Sequence, residues 1–124
     1  MALEMAAIHS LHDDRLSVLV WHYHDDDLPG PEANISLDLI NLPLESGESM
    51  VDTYLVDDDH SNSYTTWLNM GSPQNPTPDQ CEKLEESSLL EKVSADHTVK
   101  ISKGKASIVL TLKRQGVTLL VLQL

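Results

Sequence analysis

Residues 15–24 read Arg15-Leu-Ser-Val-Leu-Val-Trp-His-Tyr-His24. Leu16, Val18 and Val20 fall on one parity of this run, and Leu19, Trp21 and Tyr23 on the other. A β-branched and aromatic run that is apolar on both faces reads as a central strand. It is followed by Asp25, Asp26 and Asp27 and then Leu28-Pro-Gly-Pro31, where two prolines and a glycine end any ladder.

The strand belongs to a chain of 124 residues, long enough for one domain with its own core and too short for a catalytic (β/α)₈ barrel, which takes about 250 residues. Eight Lys plus Arg stand against 20 Asp plus Glu, a formal charge of −12. Binding a polyanion depends on basic residues neutralising phosphates, so this balance excludes a phosphate-tracking nucleic-acid binder and disfavours an anionic membrane surface. The hydrophobic fraction of 40% is that of a folded domain rather than an acidic tail, and no apolar run approaches a membrane span. The N-terminus lacks a basic region followed by an apolar one, so no secretory signal is read there. The lone Cys81 excludes an internal disulfide and any multi-cysteine zinc site. Both features fit a reducing, cytoplasmic setting.

Working outward, residues 1–14 read as an extension or linker and 15–124 as the folded domain. Asn34 to Leu42 alternates, with Ile35, Leu37 and Leu39 facing one way, and a turn is expected around Glu45 to Glu48. Met50 to Val56 is a further strand and runs into a second acidic knot at Asp57-Asp-Asp-His-Ser-Asn62. Thr77-Pro-Asp-Gln80 carries the clearest local signal. The Thr77 hydroxyl can cap the Gln80 amide, the Gln80 side chain can reach back, and Pro78 suits the first helical position. One short helix is predicted from here, with Cys81, Leu84 and Ser88 on its inner face, Glu82, Glu85 and Glu86 in solvent, and Lys92 near its end. Strands return at His97 to Ser102, Lys105 to Leu112 and Val117 to Leu124, separated by turns at Lys103-Gly104 and Lys113 to Gly116. Six or so strands at short spacing with one helix predict an all-β fold, an antiparallel β-sandwich.

Three constellations bear on chemistry. His22, His24 and Asp25 to Asp27, with Asp57 to Asp59 and His60, have the residue types of a cation site. From Asp25, Gly30 does fall sixth as a calcium loop wants, but Pro29 takes the fifth ligand position and Ser36 stands where the bidentate Glu belongs. The two knots therefore read as solvated turns whose carboxylates cap backbone amides, and no metal or other cofactor is expected. Acid–base catalysis on a glycoside needs two carboxyls across a cleft, whereas the glutamates here cluster on one helix face. No nucleophile elbow occurs, and Cys81 reads as a buried structural thiol. The third constellation is aromatic: the two Trp and three Tyr all lie between Trp21 and Trp67, and Trp21 shares a strand face with Tyr23. Such rings can stack on sugars if exposed, or supply a core or an interface with another domain.

Val18-Leu-Val-Trp-His-Tyr-His-Asp-Asp-Asp27, the block from Asp57-Asp-Asp-His-Ser-Asn-Ser-Tyr-Thr-Thr-Trp67 to Pro73, and Arg114-Gln-Gly-Val-Thr-Leu-Leu-Val-Leu122 together resemble the C-terminal β-sandwich of family-39 glycoside hydrolases, the β-xylosidase and α-L-iduronidase family. The resemblance implies a non-catalytic accessory domain packed against a (β/α)₈ barrel that carries the catalytic glutamates. The family's Asn-Glu-Pro acid–base motif has no counterpart here, so no catalytic residue transfers and no activity is expected from this chain alone. It also implies that the sandwich borrows a segment from before the barrel, a place that Leu3 to Leu11 would have to fill. The residues expected to face the barrel, or a xylo-oligosaccharide, are Trp21, Tyr23, Asp59, His60, Ser61, Asn62, Tyr64 and Trp67. The alternatives are a freestanding carbohydrate-binding module or an oligomerisation module, and without the barrel the aromatic surface is expected to drive self-association.

Overall fold

The computed structural model describes residues 5–25 and 28–124, and at 94–96 the backbone alone. Seven strands and two helices follow in the order β1 (Met5–His12), β2 (Arg15–His22), β3 (Ala33–Leu39), β4 (Ser46–Val56), α1 (Ser63–Asn69), α2 (Pro78–Ser87), β5 (Glu91–Ser102), β6 (Ala106–Leu112) and β7 (Val117–Gln123). A five-stranded antiparallel sheet, β1-β2-β7-β4-β5, faces a two-stranded one, β3-β6. The fold is an all-β antiparallel sandwich with a small helical part.

The decisive run is an interior strand. Leu16 and Val18 of β2 lie opposite Leu122 and Leu120 of β7, and Leu122 in turn lies opposite Val51 of β4. All five are buried, and with Ile101 they form the floor of the core. Ile108 and Leu112 of β6 close it from the second sheet, and Ile35, Leu37 and Leu39 of β3 pack against it on the parity the alternation demands. The opposite parity of β2 is the outward face of the large sheet, where Trp21 is half-buried and Tyr23, just past the strand end, is 53% exposed.

Two tight turns fix the registers. The His12↔Arg15 pair closes a two-residue loop in which Asp13 and Asp14 both have positive φ, 49° and 61°. Ser102 and Lys105 exchange two 3.0 Å backbone bonds around Lys103 and Gly104, at φ 54° and 70°. Positive φ at both central residues matches the right-handed strand twist, and aspartate and glycine tolerate it best.

Several expectations change. Met5–His12 is not a linker but an edge strand, paired along its whole length with β2. The first four residues of the expected extension lie outside the described region. β5 begins at Glu91, earlier than His97, because its pairing with β4 continues past a bulge to Leu55↔Glu91. Lys92 therefore sits on a strand, 2.9 Å from Asp52, and not at a helix end. The predicted turn near Glu45 to Glu48 is already strand from Ser46.

The capping box at α2 forms as read: Thr77 Oγ1 accepts from Gln80 N at 3.3 Å, and Thr77 N donates to Gln80 Oε1 at 2.9 Å. The helix behind it buries less than its pattern suggested. Cys81 and Ser88 are exposed, and Gln80, Leu84 and Ser87 are no more than partly buried. Its main packing partner is α1 rather than the sheets, and a seven-residue helix is too short to cover an entire face. That second helix went unpredicted because Ser63-Tyr-Thr-Thr is poor in helix formers; the cap of Asn62, discussed below, holds it.

Candidate functional site

The residues singled out by the sequence gather at one end of the sandwich, where β4 runs out at Val56. Asp57 is buried at 6% exposure and organises the loop beyond it. Its Oδ1 accepts from the Asp59 amide at 2.8 Å and from His60 Nδ1 at 2.7 Å, and its carbonyl accepts from Asn62 Nδ2 at 3.0 Å. Asn62 Oδ1 then accepts from the amides of Tyr64 and Thr65, which starts α1. Ser61, at φ 54°, donates its hydroxyl to Leu55 O and accepts from Glu91 N, both at 2.8 Å, and so ties the loop to β4 and β5.

The second acidic knot thus caps a backbone amide and keeps Asp58 and Asp59 in solvent, as a turn reading expects, but Asp57 departs from that reading: it is buried and forms the centre of a hub. Its outer members, Asp58 and Asp59, are held by Lys113 from the β6–β7 turn, with Nζ at 3.1 Å and 2.6 Å. The hydrogen bond from Lys113 lowers Asp59 below its ordinary 3.8, and the hydrogen bonds to Asp59 and then Asp58 raise Lys113 above its ordinary 10.5. His60 is raised above 6.5, first by its hydrogen bond to Asp57.

The first knot is placed less fully. Asp25 is exposed, and Asp26 and Asp27 lie outside the described residues. His22 is buried, with Nδ1 3.1 Å from Leu112 O and Nε2 2.8 Å from His24 Nε2. A carbonyl can only accept, so His22 Nδ1 donates there, and in a neutral His22 the Nε2 would then accept from His24. Gln115 fixes His24 from both sides, donating from Nε2 to its carbonyl at 2.8 Å and accepting from its amide. Two histidines bound to each other at that distance leave no room for a shared cation, and among the described residues no three His, Cys, Asp or Glu side chains converge on one.

The aromatics fall into two clusters. Trp21 and Tyr23 share the outward face of the large sheet and line a shallow dimple of about 250 Å³ with Leu19 and Val117. Tyr64 and Trp67 stack on α1 with ring centroids 5.9 Å apart; Tyr64 is 64% exposed, and Trp67 Nε1 donates to Pro73 O at 2.9 Å. Between the clusters, Val56 pairs with Val117 and Val117 with Trp21, and an open cleft of about 620 Å³ lies among Leu28, Glu32, Asp58, Lys113 and Gln115. Lys113 and Gln115 were missed as site residues; their only sequence signal was a turn.

As chemistry, the groups of this hub are engaged mainly with one another and with the backbone. His60 has its Nδ1 engaged by Asp57, the neighbouring Ser61 hydroxyl is committed to backbone bonds, and Asp59 is shifted downward, opposite to what a general acid needs.

No protein-family model matches the chain, and no curated protein sequence matches it. Solved structures do. The chain is similar to a family-39 glycoside hydrolase from Xanthomonas axonopodis pv. citri (TM-score 0.75, 17% identity), covering 94% of this chain and 25% of that one. It is similar to a monomeric β-xylosidase from Caulobacter crescentus (0.71, 18%, covering 94% and 26%). It is also similar to a bacterial orthologue of human α-L-iduronidase (0.74, 16%, covering 96% and 22%). The chain thus has the fold of a β-sandwich portion of family-39 enzymes, and it spans about a quarter of their length.

Proposed function

We propose that this chain is the non-catalytic accessory sandwich of a family-39-type, β-xylosidase-like glycoside hydrolase, and that it packs against a catalytic barrel that the 124 residues do not contain. The observation that carries the reading is the asymmetry of coverage: almost all of this chain superposes on about a quarter of each enzyme. The surface offered to the barrel is the end of the sandwich where Asp59, His60, Ser61 and Asn62 adjoin Tyr64 and Trp67, with Trp21 and Tyr23 beside it. A rigid, self-bonded hub suits docking, because it loses little entropy when it is covered.

Two measurements test this. The purified chain should turn over no aryl β-xyloside, and the reading frame extended upstream should encode a barrel with an Asn-Glu-Pro motif. Turnover that co-purifies with the chain, or an in-frame stop upstream with no barrel, overturns the reading. A second reading, contact with a xylo-oligosaccharide, is favoured by the exposed ring of Tyr64 stacked on Trp67. Retardation of the chain in xylan-containing gels, lost in Tyr64→Ala, would support it.

A further inference from the structure

His22 and His24 stand where β2 gives out, with their Nε2 atoms 2.8 Å apart and their rings meeting edge-on at 67°. His22 is buried, and its other ring nitrogen is taken by Leu112 O at 3.1 Å. Only one proton fits between two Nε2 atoms at that distance, because an imidazole nitrogen that carries a proton has no lone pair left to accept with. The neutral pair meets this condition. So does the pair with one added proton, which His24 can take on Nδ1 while its Nε2 goes on donating. A second added proton has only His22 Nε2 to go to, where it would set two N–H groups head to head and place a charge on a buried ring.

We infer that the His22–His24 pair is an acid-sensitive latch, a device that goes beyond the accessory-domain reading and does not depend on it. With no added proton or one, the pair closes the chain leaving β2 onto the β6–β7 turn; with both imidazoles charged, it opens.

The bonds around the pair define what the latch holds. Gln115 Nε2 donates to the His24 carbonyl at 2.8 Å, Gln115 Oε1 accepts from the His24 amide at 3.3 Å, and the His22 amide donates to Gly116 O at 3.0 Å. Gln115 and Gly116 belong to the same turn as Lys113, which holds Asp58 and Asp59. The turn is thus clamped from two sides, by the carboxylates of the Asp57 loop and by the segment at His22 to His24. Gln115 also lines the cleft of about 620 Å³, so release of the second clamp alters one wall of that cleft.

The segments that meet at the pair bring titratable and charged groups of both signs. Tyr23 and Asp25, both exposed, flank His24 in the chain, and exposed Glu32 comes just before β3. Lys113 and Arg114 precede Gln115 in the turn, and Arg114 packs over Gly30 and reaches Pro29 O at 3.4 Å. From β1, β6 and β7 come Met5, Leu112 and Val117, which have no charge. The Nε2–Nε2 bond is therefore the contact that tells one added proton from two.

Titration of the full, ¹⁵N-labelled chain from about pH 7.5 to about pH 4.5, followed by NMR of the imidazole nitrogens and by amide exchange, tests the inference, since that range covers imidazoles and stays above ordinary carboxylates. At the neutral end His22 should hold its proton on Nδ1. The protection factor of the His22 amide should then fall at least about tenfold in the step that charges the second ring. His24→Gln is the sharper variant: its side-chain amide donates to a neutral His22 and, turned over, accepts from a charged one, so the His22 amide should stay protected across the range. His60→Gln should leave the wild-type response in place, which separates the latch from the Asp57–His60 bond. Rings that do not both charge above about pH 4.5, or that both charge with no loss of protection, overturn the inference. So does a His24→Gln chain that opens like the wild type, or a response that His60→Gln abolishes; the wild-type titration decides by itself if circular dichroism shows either variant unfolded.

Discussion

His60 donates from Nδ1 to Asp57 Oδ1 at 2.7 Å, and the accepting side chain is 3% exposed while the imidazole is 32% exposed. A buried carboxylate thus reaches solvent chemistry through one titratable neighbour. The hydrogen bond to Asp57 comes first among the causes that raise His60 above 6.5, followed, against some desolvation, by the charges of Asp57, Glu91 and Asp59. A raised folded-state pKa means that the charged imidazole is favoured in the native protein. Its contribution to stability is fully present below the unfolded value and is lost as the pH rises through the folded value.

The denaturation midpoint of the wild type should therefore exceed that of His60→Gln by more at about pH 5.5 than at about pH 8.5. Urea titrations of both proteins at the two pH values read this directly. A difference that does not change with pH would mean that the bond stabilises only as a neutral contact.

Asn62 and Thr77 cap the two helices but should not be equivalent. Thr77 serves α2 alone, an end with no buried residue, so Thr77→Ala should cost about 1 kcal/mol and show mainly as faster amide exchange in the first turn of α2. Asn62 caps α1 with its oxygen and also donates to Asp57 O with its nitrogen. Asn62→Ala should cost about 2 kcal/mol and lower the global midpoint, since it opens the hub as well as the helix. Equal effects on the midpoint would show that the hub does not depend on Asn62.

How much of this was legible follows the range of the signals. The interior strand, the inward set Ile35, Leu37 and Leu39, and the Thr77 capping box are local patterns, and each appears where the residues put it. Met5-Ala-Ala-Ile-His-Ser-Leu-His12 has no alternation and two alanines; it is a strand because β2 offers it an edge, a long-range cause that leaves no local trace. The Asp13-Asp14 pair was the one available hint, as two αL-tolerant residues between strand-length runs. Asp57 read as a solvated turn carboxylate because its sequence neighbours are acidic. Its burial comes from a cover of His60, Asn62 and the loop's own backbone that only the fold assembles. Cys81 misled in the opposite direction: a helical pattern says which side faces inward but not how much protein waits there.

Gly116 lies where β6 turns into β7 and has no room for a side chain. A Cβ there would sit 2.8 Å from Lys113 O and 2.9 Å from Leu112 Cδ1, one a backbone atom and the other in the core. Gly116 also accepts from the His22 amide at 3.0 Å, so displacing it pulls on β2. Gly116→Ala should destabilise the chain by about 1–3 kcal/mol, measured by urea unfolding. A neutral substitution would mean that the turn relaxes without disturbing the strand ends.

The two parities of β7 give the sharpest test of the register. Leu122 is fully buried between Leu16 and Val51, whereas Val121, one residue earlier, faces outward beside Ser17 and Asp52. Leu122→Ala leaves a cavity in the middle of the core and should cost about 2–5 kcal/mol, a large part of the roughly 5–15 kcal/mol that holds a domain together. Val121→Ala removes less apolar surface from a partly wet face and should cost under about 1 kcal/mol at concentrations where the chain is monomeric. A one-residue slip of β7 would exchange the two effects, because every side chain would change faces. Unfolding both variants in dilute solution separates the alternatives: Val121→Ala costing as much as Leu122→Ala would require the outward face to be covered even in the monomer, and the register with β2 and β4 would then have to be redrawn.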